Sequence, residues 1–580
     1  MALSQVVLGA GVTSQTSLLF VTAIVLVSSL ILGGGTRPGF LGDVLLQLIA
    51  VPVLLLLVST IFPAKNPATQ PFAPAGLEGA QLRSARWAAA ACALVCLWPL
   101  LQLVPLPPAL WTRLPDREHL ARSYELLSEP LPWRPVSMAP QATWAGWLSL
   151  IPAAAVFLGT ALLGHQARRR QSLVLLAIGL FSVALGLLQV AQGPASSLRF
   201  FEFTNTLDAV GFFANRNHFA ALLYCLTVFA VVWTIDCAVV SKARDRSLTP
   251  AVLTLIAAFT VIVVLIGAQA MARSRAGIAL SIAALASAFL LVMADRRAKA
   301  TSAALRLIIA SVALGMTFAM QFALYRVMER FTSDPLADGR LIFTPRTYAI
   351  AKEHLLAGSG IGTFVPVYAL HERTEDLLAN TFVNHAHNDI VQLLLEAGAA
   401  GGILMFAAIA WLAYQIFQCW RPAPPDASDL DRGLKRAATI VVLLLAAHSF
   451  VDYPLRTGAM LAIMAFALGL LVEPPAGANP PEPGGSAEVP AARTQSKSSR
   501  SRRKSVMGGP AGSQPAPADY QWPAQAQAQG EPGEGVVVAP NVNWPQEWAQ
   551  RPDTGPAEPR RPVAWPTKPG KPGKPDDPQA

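Results

Sequence analysis

The sequence predicts an all-α polytopic membrane protein with about twelve transmembrane helices, a large loop on the outer face and a disordered C-terminal tail. Three observations predict it. The chain is 53% hydrophobic and 14% charged, with a mean hydropathy of +0.43, whereas soluble domains carry roughly 25% charged residues. Apolar runs long enough to cross a bilayer recur along the first four-fifths of the sequence. Basic residues gather on alternate connections between those runs, as they do on cytoplasmic loops.

The runs lie near 17–34, 44–62, 87–105, 144–164, 171–192, 218–240, 250–270, 276–294, 307–325, 399–418, 437–454 and 457–473. The first is expected to be retained, because Met1 to Thr16 has no basic segment of the kind that precedes a cleaved signal. Arg168 to Arg170, then Lys242, Arg244 and Arg246, then Arg296, Arg297 and Lys299, then Arg432, Lys435 and Arg436 mark one set of loops as cytoplasmic. With an even span count both termini are cytoplasmic. The opposite loops, 106–143, 193–217, 271–275 and 326–386, face the exterior or periplasm. Trp111 and Trp133 in the first of these suit an interface. The chain thus divides into a membrane body, 1–473, which includes the large outer loop 326–386, and a Pro-, Gly-, Ala- and Gln-rich tail, 474–580, too polar to build a core. The tail's basic cluster, Lys497 to Lys504, reads as a solvated cytoplasmic segment or as a contact for anionic lipid. The net charge of +10 is mostly topology signal; no basic surface interleaved with aromatics suggests nucleic acid. Cys92, Cys96, Cys225, Cys237 and Cys419 lie in spans or at their ends, without metal-site spacing.

Chemistry concentrates on the outer face. Asn384-His385-Ala386-His387-Asn388-Asp389 closes the largest loop and opens into an apolar helix. As a strand it would place His385, His387 and Asp389 on one face, like a metal site. Ile390, Leu393, Leu394 and Ala397 instead follow at helical spacing, so a helix begins near His387 and no metal site is expected. Two readings remain for these histidines: packing on the apolar face of that helix, or a general base of near-neutral pKa, with Asp389 or Glu396 orienting it. Arg216, Arg273, Arg275 and Arg340 oppose the positive-inside bias. Arginine grips phosphate through a planar bidentate fork, so Arg216, Arg275 and Arg340 could converge on one polyanionic head group. The plainer alternative is snorkelling, or pairing with acids such as Asp208 or Asp334. The glycine-rich Gly358 to Phe364 lacks a P-loop lysine and reads as a tight turn. His448 and Asp452, four residues apart, are expected to form a hydrogen-bonded pair that supports the site.

Taken in order, these segments resemble the O-antigen ligase and polymerase superfamily of bacterial membrane glycosyltransferases. The resemblance covers roughly residues 200–470, and rests on Asn215-Arg216-Asn217-His218-Phe219-Ala220, Ser274-Arg275-Ala276-Gly277, Gly339-Arg340, the Gly358 turn, His385 to Asp389 with Glu396-Ala397-Gly398, and the stretch from His448 to Pro454. The chain departs from the family pattern at Thr344, where an aromatic residue is common, and at Leu355, where proline is. The resemblance implies a multi-span enzyme of the bacterial inner membrane, active at its periplasmic face. It would transfer an undecaprenyl-diphosphate-linked glycan to a hydroxyl of lipid A-core, of another glycan or of protein. It further implies that Arg216, Arg275 and Arg340 hold the donor diphosphate, that His387 is the base with His385 as alternate, and that neither metal nor cofactor is needed. Ligase and polymerase use the same parts, and ligase is favoured slightly. A lipid-linked oligosaccharide transporter would instead carry ionisable residues in mid-span, and a scaffold protein would rely on the tail.

Overall fold

The computed structural model describes residues 15–37, 39–63, 82–243, 248–295, 340–374, 382–422 and 429–475, with isolated helical positions between 306 and 317. The tail beyond 475, Asp334, Asp338 and Gly339 lie outside the described residues, as does the expected span 307–325 apart from those isolated positions.

Among the described residues the apolar runs are helical. There, nine helices are long and apolar enough to cross a membrane. They are α1 (Gln15–Leu32), α2 (Leu41–Ile61), α3 (Arg83–Leu101), α5 (Pro140–Leu162), α6 (His165–Ala191), α7 (Arg216–Ala243), α8 (Leu248–Ala272), α9 (Arg275–Ala294) and α12 (Asp389–Trp420). The runs expected at 437–454 and 457–473 appear as α13 (Asp429–His448), whose first half is charged, and the short α14 (Gly458–Leu471). The smaller helices are α4 (Glu118–Leu126), α10 (Arg340–Glu353) and α11 (Phe364–Leu370), all in the loops expected on the outer face. One two-residue antiparallel ladder joins β1 (Pro105–Leu106) to β2 (Arg134–Pro135).

Two helices organise the packing. Helix α5 lies against α1, α2, α3 and α14, and helix α7 against α8, α9 and α13. From Phe219 to Phe229 nearly every side chain of α7 is buried, so it is apolar all round rather than striped. Lipid tails are as apolar as leucine, so close packing must hold such helices together, and small residues permit it. A Cβ on Gly159 of α5 would stand 2.4 Å from the Thr22 hydroxyl of α1. Thr22 and Ser29 satisfy their own hydroxyls by donating to Leu18 and Val25 carbonyls one turn back, at 2.7 Å each.

At one end of the bundle the basic residues close helix termini. Arg168 donates to the carbonyls of Ala161, Leu163, Leu470 and Val472. Arg169 forks onto Asp431 at 2.7 Å through both nitrogens, and Arg436 donates to the carbonyls of Cys419 and Ala294.

The outer segments form their own small core around Ile350, Phe364, Val367, Tyr368, Val383 and Leu395. Trp111 is not an interface residue: it is fully buried and donates its indole N–H to the Pro132 carbonyl at 2.8 Å, while Trp133 is exposed as expected. Asp116 pins two loops together, accepting from Nε2 of His354 and of His371 at 2.9 Å each. Those histidines hold its carboxyl down at about 2.

The large loop meets the membrane helices at a break in α12. Gly398 sits at φ 62°, ψ −154°, a backbone region open in practice to glycine alone. The carbonyls released around the break are taken by Ser359 and Gly360 of the glycine turn, by the Trp98 indole and by the Gln102 amide, at 2.8–3.0 Å. The turn is tight as expected, with Gly358, Gly360 and Gly362 all at positive φ.

Candidate functional site

The helix expected near His387 starts two residues later. Asn388 caps it, its side chain accepting from the N–H of Ile390 and Val391. His387 precedes the cap at φ 53°. That left-handed turn keeps His387 outside α12, so the helix does not carry its ring. Instead His387 Nδ1 lies 3.1 Å from Oδ1 of Asp452, which is fully buried. The other carboxylate oxygen accepts from the Asn217 amide at 2.6 Å. A carboxylate can only accept, so this contact fixes the proton on Nδ1 and leaves Nε2 as the basic nitrogen. Nε2 has no hydrogen-bond partner among the described residues, and the side chain is 21% exposed. Tyr453 stands edge-on to the ring at 4.9 Å, and Phe343 of α10 lies 6.2 Å away.

His385 is held differently. Its Nδ1 accepts from Gln392 Nε2 and its Nε2 donates to the Thr36 carbonyl, both at 3.2 Å. Gln392 also donates to Glu396 and accepts from the Ala386 N–H, so only one tautomer satisfies the set. Tyr453 packs over the ring at 4.2 Å. Burial, then the nearby Arg456 charge, push its pKa down to about 3. It is a neutral, fully engaged group.

Asp389 and Glu396, expected to orient the base, do something else. Both bind Arg456, which donates to Asp389 at 3.2 Å and to Glu396 at 2.5 Å. Asp389 also accepts from the Ser449 hydroxyl and the Leu455 N–H. Together these bonds bolt the first turns of α12 to the turn 449–456 that carries Asp452. The expected His448–Asp452 pair is present as an ion-pair contact rather than a short hydrogen bond. His448 Nε2 stands 4.0 Å from the carboxylate, and its Nδ1 meets the Tyr224 hydroxyl at 3.0 Å.

Two of the arginines meet on one carboxylate. Asp208, buried, receives Arg216 at 2.5 Å and Arg273 at 2.6 Å. Two guanidinium groups on one carboxylate leave a net positive charge beside Asn217, hence one residue from the Asp452–His387 pair. Arg275, exposed, opens α9 behind the Ser274 cap. Arg340 opens α10, and its side chain lies outside the described residues. Helix α10 itself is placed by Thr344, whose hydroxyl donates to the Ala386 carbonyl at 2.9 Å.

A family model described as O-antigen ligase, Wzy_C, matches residues 259–406. The match supports kinship with the O-antigen ligase superfamily. It also supports glycan transfer of the ligase or polymerase type by a multi-pass membrane protein. A search of curated proteins finds no match.

The match spans about a quarter of the chain and takes in Arg275, Arg340, His385 and His387. Arg216, Asn217, Asp452 and Arg456 lie outside it, yet Asn217, Asp452 and Arg456 are joined to the matched segment through the contacts above. Of the residues expected at the site, His385 and His387 come together around Tyr453, while Arg216 pairs with Asp208 next to Asn217, which holds Asp452. Asp452 as partner of His387, and Arg456 as partner of Asp389 and Glu396, were missed. The only signal for either was a charged residue standing in an otherwise apolar stretch. His371, upstream of the histidine segment, is tied to Asp116. Asp116, Glu353 and His371 offer ligand atoms within 4.8 Å of one another, a grouping of metal-ligand type apart from the His387 pair.

Proposed function

We propose that the protein transfers an undecaprenyl-diphosphate-linked glycan to an acceptor hydroxyl, as an O-antigen ligase, at the periplasmic face of a bacterial inner membrane. The observation that carries this reading is the His387–Asp452 pair, with Nε2 of the histidine directed away from its orienting carboxylate. In the reaction, Nε2 takes the proton of the acceptor hydroxyl as its oxygen bonds to the anomeric carbon. The bond from that carbon to the diphosphate oxygen breaks, and undecaprenyl diphosphate leaves with the electron pair. Asp452 steadies the imidazolium that forms, as the carboxylate does in a histidine–aspartate pair. Arg216, Arg275 and Arg340 hold the diphosphate and stabilise the charge that develops on it. His385 is a positioning residue in this scheme, since both its nitrogens are engaged. The leaving group needs no Lewis acid, so the scheme is metal-independent. The orientation is supported by Arg168, Arg169 and Arg436 closing helix ends remote in sequence from the site, on the loops that the charge bias marks as cytoplasmic.

The test has two parts. His387→Ala, at wild-type protein level, is expected to lose transfer of lipid-linked glycan in membranes; full activity would remove His387 as the base. The glycan profile of a deletion strain then separates the two uses of the same site. Loss of attachment with lipid-linked polymer retained marks a ligase, and single repeat units left on lipid A-core mark a polymerase.

A further inference from the structure

Arg37, on the loop between α1 and α2, stands apart from the site's other arginines. Its guanidinium carbon lies 4.4 Å from the ring centroid of Phe203 and 4.8 Å from that of Phe382. These rings come from the loop leading into α7 and from the histidine segment. The Arg37 loop is pinned to both. Thr36 accepts from His385 at 3.2 Å, and Gly34 accepts from the Ala214 N–H at 3.0 Å. Arg216 and Arg273 are matched by Asp208, and Arg456 by Asp389 and Glu396. Arg37 has no carboxylate or carbonyl partner among the described residues.

Phenyl rings over a guanidinium occupy its flat faces and leave the N–H donors of its edge to other groups. Such an edge fits a phosphate bidentately. The rings are 62% and 49% exposed, so the stack stands at the surface of the protein. Beside it runs an apolar face. Phe200 stacks on Phe212 at 5.9 Å, and Phe212 meets Phe181 of α6 at 5.8 Å, with Phe200 and Phe181 largely exposed. A charged edge at the head of an exposed aromatic face on a membrane span is matched by an anionic head group with a long hydrocarbon chain.

We propose that Arg37, flanked by Phe203 and Phe382, is a further phosphate-binding residue that receives the diphosphate of the polyprenyl donor, with the prenyl chain leaving along the exposed rings of Phe200 and Phe181, which the buried Phe212 backs. The inference rests on the proposed transfer reaction and adds to it a lipid-side contact from the first helix pair.

The test measures binding of undecaprenyl diphosphate to the purified full chain in nanodiscs, beside glycan transfer. Arg37→Ala is expected to weaken binding roughly tenfold or more, the scale of losing a charge-assisted hydrogen-bonded contact. Arg37→Lys, which keeps the charge but loses the fork, should recover only part of it. Phe203→Leu, which leaves Arg37 in place, should weaken binding less than Arg37→Ala. His387→Ala should bind like wild type while failing to transfer. Wild-type binding by Arg37→Ala, with its melting temperature unchanged, would overturn the proposal and leave Arg37 as an interface anchor. Failure of the wild-type protein to bind the probe would instead overturn the donor reading itself. Binding of phosphorylated lipid A that depends on Arg37, where undecaprenyl diphosphate binding does not, would move the residue to the acceptor and overturn the assignment to the donor.

Discussion

Asp452→Asn is the sharpest perturbation of the proposed base. It keeps the size of the side chain and removes one acceptor. Two groups donate hydrogen bonds to the carboxylate: the Asn217 amide at 2.6 Å and His387 Nδ1 at 3.1 Å. An asparagine offers one oxygen and one NH2, so one of the two contacts would set donor against donor. The shorter bond, to Asn217, is expected to keep the oxygen. His387 must then turn its Nδ1 into an acceptor and carry its proton on Nε2, the nitrogen that is to take the acceptor's proton. General-base catalysis contributes typically 10²- to 10⁴-fold, and a wrong tautomer forfeits most of it. The expected result is a loss of at least roughly 10²-fold in the turnover rate with little change in donor binding. The assay is transfer in proteoliposomes, with melting temperature as the check on folding. Because the pair acts as a unit, His387→Ala combined with Asp452→Asn should be no slower than His387→Ala alone. Activity of Asp452→Asn within twofold of wild type, or additive losses in the double variant, would refute the reasoning.

Arg456→Met should leave Asp389 and Glu396 buried without their cation, a defect that costs about 3–5 kcal/mol; a marked drop in melting temperature in detergent checks it. His385 has a pKa of about 3 in the folded chain against about 6.5 when exposed. Between those values the unfolded chain binds the extra proton, so stability is full at pH 7 and falls as pH drops below about 6.5, by up to about 1.4 kcal/mol per unit. His385→Gln should flatten that part of the profile of melting temperature against pH, and identical slopes would count against it. Gly398→Ala would force an L residue into φ 62° and place its Cβ 2.5 Å from the Gly358 nitrogen. Loss of transfer and a lower melting temperature are expected, since strain alone in such a region costs about 1–3 kcal/mol.

The spans were legible because hydropathy and length suffice to find them: eight of the nine long apolar helices start within about five residues of the expected runs, and α12 starts about ten residues early. That early start was partly legible too, since Ile390, Leu393 and Leu394 carry helical spacing. The break at Gly398 was not, because a glycine inside an apolar helix usually marks close packing rather than a change of direction. For the site, residue type was readable and partnership was not. Asp389 and Glu396 sit closest in sequence to His387, yet both turn to Arg456, 67 and 60 residues away. Asp452 reaches His387 across 65 residues. Pairings of that range depend on how the end of α13 meets the start of α12, and no local pattern encodes it. The early reading of Arg216 as a residue paired with Asp208 and its reading as a phosphate ligand are also not exclusive, because Asp208 already serves Arg273.

The break in α12 explains how one helix can serve both the membrane and the site. A straight helix would carry His387 on the axis of a span that runs on to Trp420. Gly398 frees the segment 389–397 to take its own direction, at the cost of unpaired carbonyls around residues 395–397. In a membrane setting such carbonyls are tolerated only where protein or water satisfies them, and here Ser359, Gly360, Trp98 and Gln102 do so. The same segment is then fixed at its other end by Arg456, Ser449 and the Asn388 contact to the Phe450 carbonyl. With both ends fixed, His387 and Asp452 meet as parts of one rigid unit rather than as two loops that find each other on substrate binding. A base oriented in advance loses little entropy when the acceptor arrives. The moving parts of the reaction are therefore expected outside this unit.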